Sequence, residues 1–250
     1  MTTVGLLYPG HGAADDFPAL VDRLKEARPD GWNVALPLVQ TSVDEDAHRV
    51  DALMDLGGHD RLAEGARTLA ASHRLDSLMW ACTSGSFVFG WLGALQQVDK
   101  LAQVSGLPTS STSLAFVSAC QALGVTKVSV VASYPHDVAE CFASFLQRAD
   151  IEVVAMGSHD IYTAAEVGAL TRDQVLALIV AAERDNAEAV LVPDTAMHSL
   201  AWVDKLEASA GMPVLTANQV TVFEGLRLGG GVPPLPGLGA LFRSVAVSAR

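Results

Sequence analysis

Short runs of β-branched and aliphatic residues, each closed by a turn residue, alternate with longer stretches whose apolar positions recur at three- and four-residue steps. This alternation predicts an α/β fold, with largely parallel sheets covered by helices on both faces. Strands are expected at 4–9, 33–38, 77–82, 127–133, 152–156, 189–193 and 213–216. Between them, Phe17, Leu20, Val21 and Leu24, or Val175, Leu176, Ile179 and Val180, form the single apolar stripes of packing helices. Thr171 with Gln174 three residues later reads as a capping box for the second of these.

The order of pieces is duplicated. A strand opens each half, at Val4 and at Lys127, and a later strand in each half ends on a polar cluster, Cys82-Thr83-Ser84 or Asp194-Thr195. Two pseudo-symmetric lobes are expected, 1–116 and 117–220, with the active site in the cleft between them. Gly124 is placed to end a helix in the left-handed conformation just before the second lobe begins. A final helix from Thr221 to Leu228, three glycines and a proline-rich stretch of irregular structure close the chain, and the segment 221–250 is expected to pack on the first lobe.

Half of the 250 residues are hydrophobic, enough for a sizeable core, and the formal charge of -12 leaves no basic footprint for nucleic acid or an anionic membrane. An anionic substrate must therefore be captured locally. The N-terminus lacks the basic start of a signal peptide, and no apolar run approaches the length of a membrane helix, so a cytoplasmic location is expected. Three cysteines, Cys82, Cys120 and Cys141, are an odd number for a disulfide framework and read as free thiols.

Open α/β sheets bind ligands at the carboxyl ends of their strands, which gives weight to four places: Pro9 to Gly12, Cys82 to Ser86, Ser133 to Asp137 and Asp194 to His198. In Trp80-Ala81-Cys82-Thr83-Ser84-Gly85-Ser86 a buried strand hands a cysteine to the first turn of a helix, a setting expected to favour the thiolate. The ordinary alternative is a small buried residue, which is the reading for Cys120 and Cys141. Asp194 is a candidate proton acceptor or the N-cap of a following helix, His198 a weak acid–base candidate one turn into that helix, and Tyr134 a phenolic donor. His11, His136 and Asp137 also follow strands, but no set has metal-ligand spacing and no phosphate- or dinucleotide-binding loop is present, so neither metal nor cofactor is expected.

Taken in order, Cys82-Thr83-Ser84, Tyr134, Asp194-Thr195 and the closing Asn218-Gln219-Val220, Arg227 to Gly231 and Pro236 to Gly239 resemble arylmalonate decarboxylase and maleate cis-trans isomerase, within the aspartate/glutamate racemase superfamily. The resemblance runs along nearly the whole chain. It implies a cofactor-independent enzyme for a small carboxylate or dicarboxylate, and it leaves homo-oligomerisation open. By the resemblance, Cys82 matches the first-lobe cysteine of the isomerases and racemases, and Asp194 falls where a second cysteine belongs. Thr83, Ser84 and Tyr134 match carboxylate-holding hydroxyls, Thr195 supplies a neighbouring backbone N–H, and Pro9 and Leu38 match pocket walls.

The leading expectation is isomerase- or racemase-type chemistry, such as cis-trans isomerisation of maleate by addition of the Cys82 thiolate. An alternative is decarboxylation of an arylmalonate-type acid, with Cys82 protonating an enediolate from the lobe opposite to that used by arylmalonate decarboxylase. A third is a carboxylate-binding protein without catalysis.

Overall fold

The computed structural model describes residues 1–10, 12–27, 33–233 and 235–248. His11 lies outside them. Nine strands are found among the described residues: β1 (Thr2–Pro9), β2 (Val34–Ala35), β3 (Leu38–Thr41), β4 (Ser77–Trp80), β5 (Thr109–Ser111), β6 (Lys127–Ala132), β7 (Glu152–Ser158), β8 (Ala189–Val192) and β9 (Val214–Thr216). The helices are α1 (Asp16–Ala27), α2 (Val50–Leu56), α3 (His59–Ser72), α4 (Ser84–Phe87), α5 (Gly90–Ser105), α6 (Thr112–Leu123), α7 (His136–Gln147), α8 (Ala164–Gly168), α9 (Arg172–Ala181), α10 (Val203–Ala210), α11 (Ala217–Leu228) and α12 (Gly239–Ser248).

All strand pairs are parallel, and they form two sheets wound the same way. One runs β2-β1-β4-β5 with β3 also on β1, and the other β7-β6-β8-β9. The strands β4 and β8 are buried at every residue, as expected of parallel strands covered on both faces. The sequence duplication is therefore a duplication of topology.

Two expectations are corrected. The single strand foreseen at 33–38 is two short pieces, because Pro37 interrupts it; a proline has no N–H for the ladder, and here only its carbonyl serves, accepting from Leu6 N at 2.9 Å. The helix expected straight after Asp194 is absent, and residues 195–202 form turns before α10 begins at Val203. The Ala196 N–H is taken by the Asp194 side chain at 2.9 Å, as at a helix start, but the Ser199 and Leu200 N–H groups, which would continue a helical ladder, are taken by Asp16 Oδ2 at 2.8 and 3.1 Å. Strand β5 escaped notice because Thr109, Ser110 and Ser111 carry no apolar run.

Helix ends follow their sequence signals. Thr171 and Gln174 form the expected capping box of α9, and Gly124 ends α6 at φ 67°. Thr216 and Gln219 cap α11 in the same manner, starting that helix four residues earlier than its apolar pattern suggests. The C-terminal segment is shared between the sheets: α11 lies against β1, β4 and β5 as well as β9, while α12 packs on α6, α10 and β9. No helix among the described residues is long and apolar enough to cross a membrane.

Candidate active site

In each sheet the winding reverses once, between β1 and β4 and between β6 and β8, and ligands of open α/β sheets gather at such reversals. The residues just past the carboxyl ends of β4 and β8 are Cys82 and Asp194. Both face one cavity of about 490 Å³, whose wall also takes in Tyr8, Pro9, Gly10, Ser84 and Thr195. The lining also takes in the apolar Val43, Ala52, Leu53 and Leu56 with the polar Glu45, Asp46 and His48 from the first half, and Ala164, Ala165 and Gly168 from the second.

Of the residues singled out from the sequence, Pro9, Cys82, Ser84, Asp194 and Thr195 thus come together on one wall. Thr83, Tyr134, Leu38 and His198 are not part of it. Tyr134 is buried, its hydroxyl donating to the Pro193 carbonyl at 2.8 Å, and its ring wedged edge-on between His48 and Phe87. Leu38 pairs with Leu6 in the sheet. His198 Nε2 lies 2.8 Å from Asp15 Oδ1, and no helix follows the strand to carry it inward.

Cys82 Sγ accepts the Gly85 N–H at 3.3 Å, with Ser84 Oγ at 3.9 Å. Those contacts favour a thiolate, but burial outweighs them and the nearby Asp194 carboxylate adds to it, so the thiol is pushed up to about 12. The expectation of a resting thiolate is corrected accordingly. The helix that follows, α4, is a single four-residue turn, too short for the dipole that expectation relied on. Burial also drives the Tyr134 phenol well above its usual range, Asp194 and Cys82 adding to the effect and the Ser84 and Thr83 hydroxyls opposing it.

Asp194 is fixed on both oxygens. Ser133 Oγ donates to Oδ2 and the Ala196 N–H to Oδ1. His48 Nε2 stands 3.8 Å from Oδ2, and its Nδ1 meets the Ile161 carbonyl at 2.7 Å.

His48 and Tyr8 were not foreseen. Tyr8 is hidden in a continuous apolar strand, yet its hydroxyl accepts the Ala13 N–H at 2.9 Å and donates to the Thr195 carbonyl at 2.7 Å, tying the two lobes together. His48 lies in the irregular stretch Ser42 to Arg49, and its position in a long loop after a strand's carboxyl end was the available signal. That loop crosses to the second lobe, where Asp46 accepts the Ala164 and Ala165 N–H groups at 2.7 and 3.0 Å and the His48 N–H donates to the Tyr162 carbonyl at 2.7 Å. The cavity is thereby roofed by segments from both halves.

Comparison with known proteins agrees with this architecture. The bacterial arylmalonate decarboxylase of Bordetella bronchiseptica is 28% identical over 164 residues, 64% of this chain and 68% of that enzyme. Among solved structures, the maleate isomerase of Pseudomonas putida S16, a cysteine-to-alanine variant with maleate, superposes with a TM-score of 0.87 at 20% identity over 98% of both chains. A cysteine-to-serine variant of the Nocardia farcinica maleate cis-trans isomerase, which carries a covalently bound succinylcysteine intermediate, gives 0.85 at 20% identity over 97% and 98% of the two chains. The arylmalonate decarboxylase family model matches residues 52–242, most of the chain and both polar strand ends, and the chain belongs to that family.

Proposed function

We propose that this chain is a cofactor-independent carboxy-lyase that removes carbon dioxide from a malonic acid bearing an apolar substituent, with Cys82 as the proton donor. The observation that carries the reading is a buried thiol facing the cavity, in surroundings where burial favours its protonated form. Burial keeps that thiol protonated at neutral pH, so the hydrogen to be delivered is already on the sulfur.

In this reading the bond from the α-carbon to one carboxyl breaks, and its electron pair forms an enediolate with the remaining carboxyl. The Cys82 S–H then transfers its proton to the α-carbon, and solvent restores the thiol. The apolar wall of Val43, Ala52, Leu53 and Leu56 supports a substituent larger than a bare four-carbon diacid would offer. Proton delivery from the Cys82 lobe sets the face of the product.

A second reading, addition of the Cys82 sulfur to a cis-unsaturated diacid, is favoured by the cysteine on the first lobe and by the covalent succinylcysteine of the Nocardia farcinica structure. It requires a base for the thiol proton, for which the Asp194 carboxylate lining the same cavity is available.

Incubation with phenylmalonate and with maleate in heavy water, followed by proton NMR, separates the two. Deuterated phenylacetate with released carbon dioxide supports the first reading, and fumarate supports the second. Inertness toward both, and toward alkylmalonates, would overturn the enzymatic reading.

A further inference from the structure

Cys82 is held by a turn that cannot hold itself. Helix α4 is one turn of four residues, its N-cap Thr83 makes no side-chain cap, and so short a helix is unstable alone. The Gly85 N–H nevertheless reaches Cys82 Sγ at 3.3 Å. A Cβ on Gly85 would stand 3.2 Å from that sulfur and 3.1 Å from the Trp80 ring, so the fit around this glycine has no slack. The turn must be fixed by something outside it.

A carboxamide on α5 does so. Gln97 Nε2 donates to the Gly85 carbonyl at 2.8 Å and to the Gly57 carbonyl at 2.9 Å, and Trp80 Nε1 adds a longer bond to Gly85 at 3.3 Å. Carbonyls only accept, so the amide nitrogen faces them and both its hydrogens are engaged. Gln97 Oε1 is buried with no hydrogen-bond partner among the described residues. An unpaired buried oxygen is unfavourable, and an apolar side chain of the same size would avoid it, so what the position uses is the pair of donors.

The two carbonyls belong to different parts of the site. Gly57 caps the C-terminus of α2, the helix that gives the cavity Ala52, Leu53 and Leu56. A Cβ on Gly57 would fall 2.1 Å from the Gly85 oxygen, so the end of α2 and the Cys82 turn are pressed together. Gln97 is not itself part of the cavity lining. It joins the apolar wall to the turn whose amide meets the sulfur.

We propose that Gln97 is a positioning residue: it fixes the Cys82 S–H relative to the wall that seats the substituent, and so sets the distance and the face from which the hydrogen meets the α-carbon. In that step the S–H bond breaks, a C–H bond forms on the enediolate, and solvent returns a proton to the thiolate. The transfer tolerates little displacement, because donor and carbon must lie within hydrogen-bond reach. The inference rests on the reading of Cys82 as the proton donor.

The test is decarboxylation of methyl(phenyl)malonate by the full chain, since the handedness of the 2-phenylpropionate formed records the face protonated. Gln97→Met keeps the side chain's length and removes both donors, while Gln97→Asn keeps the carboxamide one methylene short of the two carbonyls. In each, kcat per folded chain should fall by about tenfold or more with KM changed less than about threefold, and the enantiomeric ratio should drop toward one as solvent competes with the displaced thiol. Amide exchange should quicken at Gly85 and stay slow in β6 and β8. A loss of stability alone lowers the amount of folded chain and leaves the ratio untouched. Wild-type kcat and ratio in both variants therefore overturn the inference and leave the reading of Cys82 standing. A wild type inert toward this acid and toward phenylmalonate removes the reading and the inference together. Should neither variant fold, Gly57→Ala, which pushes the Gly85 carbonyl away from α2, should show the same two losses, and wild-type values there overturn the inference.

Discussion

The Gly85 amide donates to Cys82 Sγ at 3.3 Å, the strongest influence favouring the thiolate, and burial still prevails. A difference titration at 240 nm between the wild type and Cys82→Ala should therefore show no thiolate from Cys82 below about pH 10. A thiolate already present at pH 7 would contradict this balance of burial against hydrogen bonding.

Asp46 is exposed and yet caps the start of α8 in the opposite lobe through two backbone N–H groups. Asp46→Ala should cost about 0.5–1 kcal/mol of stability, the usual worth of an exposed helix cap. Amide exchange should quicken at Ala164 and Ala165 while remaining slow in β6 and β8. Unchanged exchange at these two residues would show that the loop is held by other contacts.

The Tyr8 hydroxyl serves a donor and an acceptor in the buried space between the lobes. Tyr8→Phe leaves the Ala13 N–H and the Thr195 carbonyl without that partner, and a loss of about 1–3 kcal/mol in denaturant unfolding is expected. A loss below about 0.5 kcal/mol would mean that the tie contributes little.

Much of the architecture was legible because short apolar β-branched runs and period-3.6 patterns alternate cleanly, as at Lys127 to Ala132 and at Phe17 to Leu24. What escaped had no local pattern. Strand β5 consists of Thr109, Ser110 and Ser111, and its strand character comes only from pairing with Leu78, Met79 and Trp80. The turn after Asp194 is set by Asp16, over 180 residues away in sequence, and His48 meets Asp194 only after the two lobes close. The polarity of the Cys82 neighbourhood was readable from Thr83 and Ser84, whereas its burial, which decides the protonation state, depends on packing against the whole of the first lobe.

Stability should fall at alkaline pH. Burial also pushes the Cys120 thiol up to about 12, whereas an unfolded thiol ionises near ~8.5. Because the folded value is the raised one, the contribution is fully present below the unfolded value and is lost as pH climbs toward the folded one. At pH 10 the loss is roughly 2 kcal/mol for each of Cys82 and Cys120. Cys120→Ala should flatten this decline whatever its offset at pH 7, as read by chemical denaturation at several pH values. A slope identical to that of the wild type would place the alkaline sensitivity elsewhere.

The central claim is that Cys82 supplies the reacting hydrogen. The most direct measurement is the turnover of Cys82→Ser on the acid that the wild type consumes, followed by NMR under identical conditions. Serine preserves the size and placement of the side chain but is a far weaker acid, so the rate should fall by about 10²–10⁴-fold while the melting temperature stays close to that of the wild type. Turnover equal to that of the wild type would contradict the account.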